Sequence, residues 1–260
     1  MPLSEDLIKE ITYKLLEAEG SCKPIDAITT TYPGITLSEA RKINFNILNE
    51  RIKKGEKVIG FKVAFTSKAM QQAWGVDKPE WGYLTSGMVV ADGGEVETKK
   101  LIQPRIEPEI AFLLKDDVKG PGVSAADIVK ATAGVLPAIE IVDSRVAGKR
   151  KVEDFVADSS GAARVVLGGN IKSIDGLDLK LVGCVVEIGE VVATATGAAA
   201  LGNPVNSMVF IANAISEVGD YLKAGQIVIT GSLVTAIPVK AGDYVKVSFD
   251  RIGSVSVKFI

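Results

Sequence analysis

The chain contains no histidine. This excludes Ser-His-Asp and Cys-His catalysis and any zinc site that uses imidazole. Proton transfer has to come from Glu, Asp, Lys, Tyr or water. Only two cysteines are present, Cys22 and Cys184, far apart in sequence. They argue against a thiolate metal site and read as idle thiols in a reducing compartment. Any bound metal would therefore have oxygen ligands, which favours magnesium, manganese or calcium. Charge is balanced, with a formal net charge of −2. No basic stripe or polybasic run points to nucleic acid or an anionic membrane. No apolar run approaches the roughly 20 residues of a membrane span. The opening MPLSEDLIKE is acidic and polar, unlike a secretory leader, so the expected location is the cytoplasm. There is no internal repeat and no low-complexity segment.

What is present is an apolar fraction of 47% over 260 residues, enough for a sizeable core. Leu7, Ile8, Ile11, Leu15 and Leu16 recur at helical spacing behind Ser4, an N-cap candidate. Thr36 and Glu39 have capping-box spacing before a second helix carrying Ala40, Ile43, Ile47, Leu48 and Ile52. After Val58 the pattern changes to about ten short β-branched or apolar runs separated by turns. Two helical patterns interrupt them, one near Ser124 and one capped by Asn203 with Pro204 at its first position. Strands and helices do not alternate one for one, which disfavours a doubly wound sheet. The expectation is an α+β chain: a small N-terminal helical region over 1–57 and a strand-rich mixed domain over 58–260.

Acidic residues carry the chemical signal. In PRIEPEIAFLL, Glu107 and Glu109 are two apart, so on a strand they share a face. Pro108 between them cannot donate to a ladder, which suggests an edge or a bulge. If buried, the two charges repel and lose hydration, and a divalent cation would resolve both problems. A solvated strand face is the other reading. Glu140 lies within the apolar run LPAIEIV and needs solvent, a partner such as Arg145 or a lysine, or a metal. Lys62 sits in the apolar strand VIGFKVAF, where desolvation would lower its pKa; an exposed strand face is the alternative. GVDKPEWGYL reads as a loop that places Glu80 beside Trp81, either as an acid of raised pKa or as part of a surface turn. TGS at 230–232 could bring backbone N–H groups to an anion, but short Gly-Ser turns are common and this signal alone decides nothing.

The ordered set GFKVAFTSKAMQ, GVDKPEWGYL, LIQPRIEPEIAFLL, LPAIEIVDSR, GAAALGNPVNS, ITGSLVTAIPVKAGD and GSVSVKFI resembles the hydratase and decarboxylase branch of the fumarylacetoacetate hydrolase superfamily. The resemblance covers about residues 30–260. It implies a mixed β-roll or barrel of the C-terminal-domain type, with Glu107, Glu109 and Glu140 holding Mg2+ or Mn2+. It also implies an active-site role for Lys62 and a general acid/base role for Glu80, where aspartate is usual. The chain departs from the family pattern in two places. Val63, Ala64 and Phe65 follow the lysine where Gly-Leu or Gly-Val is common, and the family's active-site serine falls on Gly161, leaving Ser160 as a candidate substitute.

The implied activity is metal-assisted hydration of 2-hydroxypenta-2,4-dienoate to 4-hydroxy-2-oxopentanoate in aromatic meta-cleavage catabolism. The alternative is decarboxylation of 4-oxalocrotonate. Glu80 favours hydration. Arg164 favours decarboxylation, since an arginine at the matching place could bind a second carboxylate. Ser160, Arg164 and Ser232 are the substrate-binding candidates. Acylpyruvate hydrolysis and a non-catalytic partner subunit are further alternatives. The implied assembly is a homo-oligomer, with a hydratase–decarboxylase complex as its extension.

Overall fold

The computed structural model describes residues 2–260. The chain opens with α1 (Glu5–Ser21), α2 (Ile28–Thr31) and α3 (Leu37–Lys53). The Ser4 side chain caps α1, and Thr36 with Glu39 forms a reciprocal capping box on α3. The apolar stripes of these helices, Ile8, Ile11, Leu15, Ile43 and Ile47, pack with Val146, Val156 and Ala157 into a core of their own. Ile52, expected on that stripe, is exposed instead.

The remainder runs β1 (Val58–Ala64), α4 (Lys68–Trp74), β2 (Glu80–Thr85), β3 (Val89–Val90), β4 (Gly94–Val96), β5 (Arg105–Leu114), α5 (Ala125–Ala131), β6 (Thr132–Val142) and α6 (Val152–Ala157). It continues through β7 (Ala162–Leu167), β8 (Gly183–Ile188), β9 (Glu190–Thr196), α7 (Pro204–Ser216), β10 (Ile227–Ile229), β11 (Ile237–Pro238), β12 (Tyr244–Phe249) and β13 (Gly253–Phe259). Eight strands form one mixed sheet in the order β2-β1-β10-β5-β6-β7-β3, with β11 also on β5. This sheet curls into a half-barrel. Five others form a second sheet, β4-β13-β12-β8-β9. The main core lies between the sheets, where Phe61, Ile106, Ile110, Phe112 and Ile139 meet Val245, Val247, Val255, Val257 and α7. The opposite face of the large sheet carries smaller residues, including Ala111, Ala138 and Ala162.

All ten expected strand runs are strands, and the mixed, strand-rich α+β class holds. Three local readings change. The segment read as a loop contains β2, because Gly82 is an in-strand glycine and not a turn: a Cβ there would come within 3.0 Å of Ser160 Cβ. Pro108 lies neither at an edge nor at a bulge; it pairs in regular register with Ile139 inside the long β5–β6 ladder. Its missing N–H faces away from β6, towards the 231–236 segment, where its carbonyl accepts from Leu233 N. Finally, Gly197–Ser216 is a 20-residue helical stretch of mean hydropathy 1.2, long and apolar enough by composition for a span, contrary to the expectation of no such run. Its α7 portion buries Met208, Ile211, Ala212 and Ile215 in the main core, as a core helix does.

Candidate active site

The register of the large sheet assembles the site. Glu107 on β5 pairs directly with Glu140 on β6, and Glu109 lies two residues further along the same face. Lys62 on β1 pairs with Ile229 on β10, which pairs with Ala111 on β5, so Lys62 shares that face too. Carboxylate oxygens of the three glutamates lie within 4.8 Å of one another. Lys62 Nζ is 2.6 Å from Glu140 Oε1, and both side chains are almost wholly buried. Phe155 of α6 flanks the ammonium, its ring centroid 5.8 Å away.

The hydrogen bonding of this cluster is incomplete. Glu109 Oε2 accepts from Gly231 N at 2.6 Å. Among the described residues, Glu109 Oε1 and Glu140 Oε2 are buried without a hydrogen-bond donor, and Glu140 Oε1 meets only the Lys62 ammonium, as an ion pair. Buried carboxylates without donors are costly, and three together are more so. Desolvation, then repulsion from Glu140, pushes the Glu107 carboxyl up to about 7, against the pull of Lys62. Glu109 is pushed well above the usual carboxylate range by burial and by the other two glutamates. Burial works against the Lys62 charge, but Glu140, Glu107 and Glu109 outweigh it and hold the ammonium above its ordinary value. The lowered pKa expected from desolvation alone is therefore reversed by three nearby carboxylates. One lysine cannot neutralise three acids. A divalent cation with oxygen preference fits the set in charge, in donor type and in the unused lone pairs.

Lys62 and Glu107 of this cluster open onto a cavity of about 780 Å3, within the usual range for small-molecule sites, while Glu109 and Glu140 are fully buried off its wall. Lys62, Glu107 and Ser232 line it, with Trp74 of α4, Phe155 and the 232–236 segment among its walls. Ser232 Oγ donates to Val234 O at 2.7 Å, which folds that segment over the floor. The anion-binding potential of the TGS turn is spent on the chain's own Glu109, through Gly231 N–H.

Besides the fully buried Glu109 and Glu140, three further sequence candidates are not on the cavity wall. Glu80 is buried on the Lys62 face, near Gly82, the register partner of Lys62, but its carboxylate is held by Arg41 of α3. Ser160 is fully buried in a left-handed conformation, with its Oγ donating to Trp81 O at 2.7 Å. Arg164 pairs in register with Ile141, so it projects from the face opposite Glu140, and its NH1 donates to Ala163 O. Arg145 does not reach Glu140 either; its side chain and backbone N–H both bind Asp158. Conversely, Arg105 and Arg150 line the cavity and were not singled out from sequence. Arg105 had a legible signal, lying two residues before Glu107 on the same strand face. Arg150, in a loop, had none.

This chain belongs to the fumarylacetoacetate hydrolase C-terminal family, whose pattern matches residues 57–260. It is 36% identical over 260 residues to 4-oxalocrotonate decarboxylase of Pseudomonas sp. strain CF600, covering 99% of this chain and 98% of that one. It is 41% identical over 220 residues to 2-hydroxypent-2,4-dienoate hydratase of Pseudomonas putida, covering 84% of this chain and 99% of the other. Its fold superimposes on the solved 4-oxalocrotonate decarboxylase from Pseudomonas putida G7, complexed with magnesium and adipate, with a TM-score of 0.96 at 34% identity and 99% coverage of both chains.

Proposed function

We propose that this chain is a divalent-metal-dependent lyase of small 2-oxo and 2-hydroxydienoate acids, acting first as a hydratase of the 2-hydroxypenta-2,4-dienoate type. The observation that carries this reading is the set of three convergent, donor-poor glutamates beside a buried lysine, with Glu107 and Lys62 opening onto a ligand-sized cavity. Glu107, Glu109 and Glu140 would hold magnesium or manganese, and solved relatives at 34% identity are complexes with magnesium and with calcium. The bound ion would supply Lewis-acid stabilisation of negative charge developing on the 2-oxygen. Lys62, kept charged by its glutamates, offsets that charge from the protein side and moves the proton during ketonisation. The apolar walls, Phe155 among them, keep bulk water from the floor. Ser232 binds substrate at the wall. Glu80 handles the proton of the added water once released from Arg41, while Ser160 and Arg164, off the cavity wall, are left out of the substrate-contacting set. The location is the cytoplasm and the assembly a homo-oligomer.

Decarboxylation of a 4-oxalocrotonate-type acid is the second reading, favoured by near-complete coverage of the decarboxylase relatives at 35–36% identity. Both reactions need the same electron sink. Turnover of a monocarboxylic and a dicarboxylic dienol, with product identified, separates them. Lys62→Ala should lose most activity on either substrate. Glu80→Gln should depress hydration about 10²-fold while metal affinity is retained. Release of carbon dioxide as the only wild-type reaction replaces the first reading with the second. Full hydration by Glu80→Gln reduces Glu80 to a partner of Arg41.

A further inference from the structure

We propose that the cavity between α3 and the edge strand β2 is a second binding site, for a small carboxylate that carries a flat apolar group, and that this ligand competes with Glu80 for Arg41. Binding stands on its own; its effect on turnover rests on the reading of Glu80 given above.

The site begins with α3. Arg41, Asn44 and Phe45 are three and four residues apart, so they form one patch on the helix. Asn44 falls within the buried stripe of Ala40, Ile43, Ile47 and Leu48, where an apolar side chain is the rule, and it is only 4% exposed. Its amide makes no hydrogen bond with a described residue, and what remains of its surface opens into a cavity of about 370 Å3. A buried amide without partners is costly unless a ligand or water supplies them. Arg41 beside it is also unsaturated. Its NH2 donates to Glu80 Oε2 and its guanidinium lies 4.5 Å from the Trp81 ring centroid, but NH1 is buried with no acceptor.

The surplus at this cavity is therefore in N–H donors, which an acceptor with two oxygens would match. Lys42 and Glu5 at the rim cancel each other as an exposed pair at 3.1 Å. Phe45, Trp81 and Tyr83 supply the apolar walls, the last two meeting edge to face at 5.3 Å. A carboxylate accepts from the guanidinium and the amide while its flat group packs on the rings. The volume is at the small end for ligand sites, enough for a single ring. No residue lines both this cavity and the one that holds Lys62 and Glu107.

Arg41 joins the two sites. Glu80 is off the wall of the second cavity, yet Arg41 lines that cavity and grips the Glu80 carboxylate. A bound carboxylate draws on the same guanidinium and so loosens Glu80, while Ser160, donating to Trp81 O, keeps β2 in place. By reciprocity, removing the Glu80 charge must tighten the ligand.

The test is isothermal titration with benzoate, benzamide and acetate, on magnesium-loaded protein saturated with 2-oxopentanoate to occupy the first cavity. Benzoate should bind saturably. Benzamide, which lacks the charge, and acetate, which lacks the ring, should each bind about tenfold more weakly or worse, the scale of one hydrogen bond to a charged group. Arg41→Met should abolish benzoate binding. Asn44→Ala should weaken it about tenfold with the thermal midpoint within a few degrees of wild type, since no partner within the protein is lost. Glu80→Gln should strengthen it about tenfold. No saturable benzoate binding, acetate binding as well as benzoate, or an affinity that Asn44→Ala and Glu80→Gln both leave unchanged overturns the site. In turnover assays benzoate should raise kcat for hydration in the wild type and not in Glu80→Gln. Binding that follows the pattern above with kcat unmoved keeps the site and counts instead against Glu80 as the acid/base.

Discussion

Glu107 shows how a single side chain ties stability to function. Its carboxyl is pushed up to about 7, and Glu109 beside it well above the usual range, because both are desolvated next to Glu140. In the unfolded chain a glutamate ionises near the ordinary 4.5. Between those two values the metal-free native state keeps a proton that the unfolded state has released. Stability from this source is full below the unfolded value and is lost as pH rises through about 7. Glu107 opens onto the cavity, so solvent screens part of the effect, leaving on the order of 1–2 kcal/mol. In EDTA the calorimetric midpoint should fall by roughly 3–6 °C between pH 5 and pH 8. Glu107→Gln should flatten that slope, and saturating magnesium should recover the midpoint at pH 8, where the ligands are ionised. A midpoint that rises with pH in EDTA, or that magnesium leaves unmoved, contradicts the metal assignment.

Among the elements, the turn after β10 has the most work per residue. Gly231 adopts a φ of +99°, and a Cβ there would come within 2.4 Å of Thr66 Oγ1. The glycine thus lets the turn press against the end of β1 while its N–H orients Glu109. Gly231→Ala must either push Thr66 away or swing that N–H off the carboxylate. We expect a stability loss of about 2–4 kcal/mol from overpacking and backbone strain. Magnesium affinity, read by titration calorimetry, should weaken by about 10–100-fold, as when an orienting partner of a ligand is lost. Unchanged affinity would mean that Gly231 serves the fold alone. The N-terminal helices act at the same scale: α3 supplies Arg41 to Glu80 and packs through Ile43 and Ile47 against α6, whose Phe155 flanks Lys62. The helical region is thereby connected to the site, although the sequence separates it as 1–57.

For the whole molecule, the half-barrel keeps three acids and a lysine on one face while the main core fills the other. Exposed apolar residues are scattered over the surface, and two of them, Val191 and Val192, are neighbours on the edge strand β9. An uncovered apolar edge is a liability for a monomer, consistent with the homo-oligomer proposed above. Sedimentation velocity at micromolar concentration should give a species heavier than the 27.4 kDa chain; a monomer at that concentration rejects the proposal.

Local physics was legible from the chain alone. Capping at Ser4, Thr36 and Asn203, the ten strand runs, and the shared face of Glu107 and Glu109 all follow from side-chain chemistry and a two-residue alternation. The absence of histidine narrowed the candidates for proton transfer to Glu, Asp, Lys, Tyr or water. Register belonged to the tertiary structure. Whether Glu140 met Glu107, and whether Lys62 met Glu140, depended on pairings among β1, β10, β5 and β6, strands separated by up to about 165 residues. A slip of one residue would have turned either group to the opposite face. The same rule decided against Arg164 on the cavity wall and for Arg105, since neighbouring positions on a strand point opposite ways. Arg150 and the Arg41–Glu80 pair carried no local signal, because each is defined by a loop or helix from elsewhere in the chain arriving at the sheet.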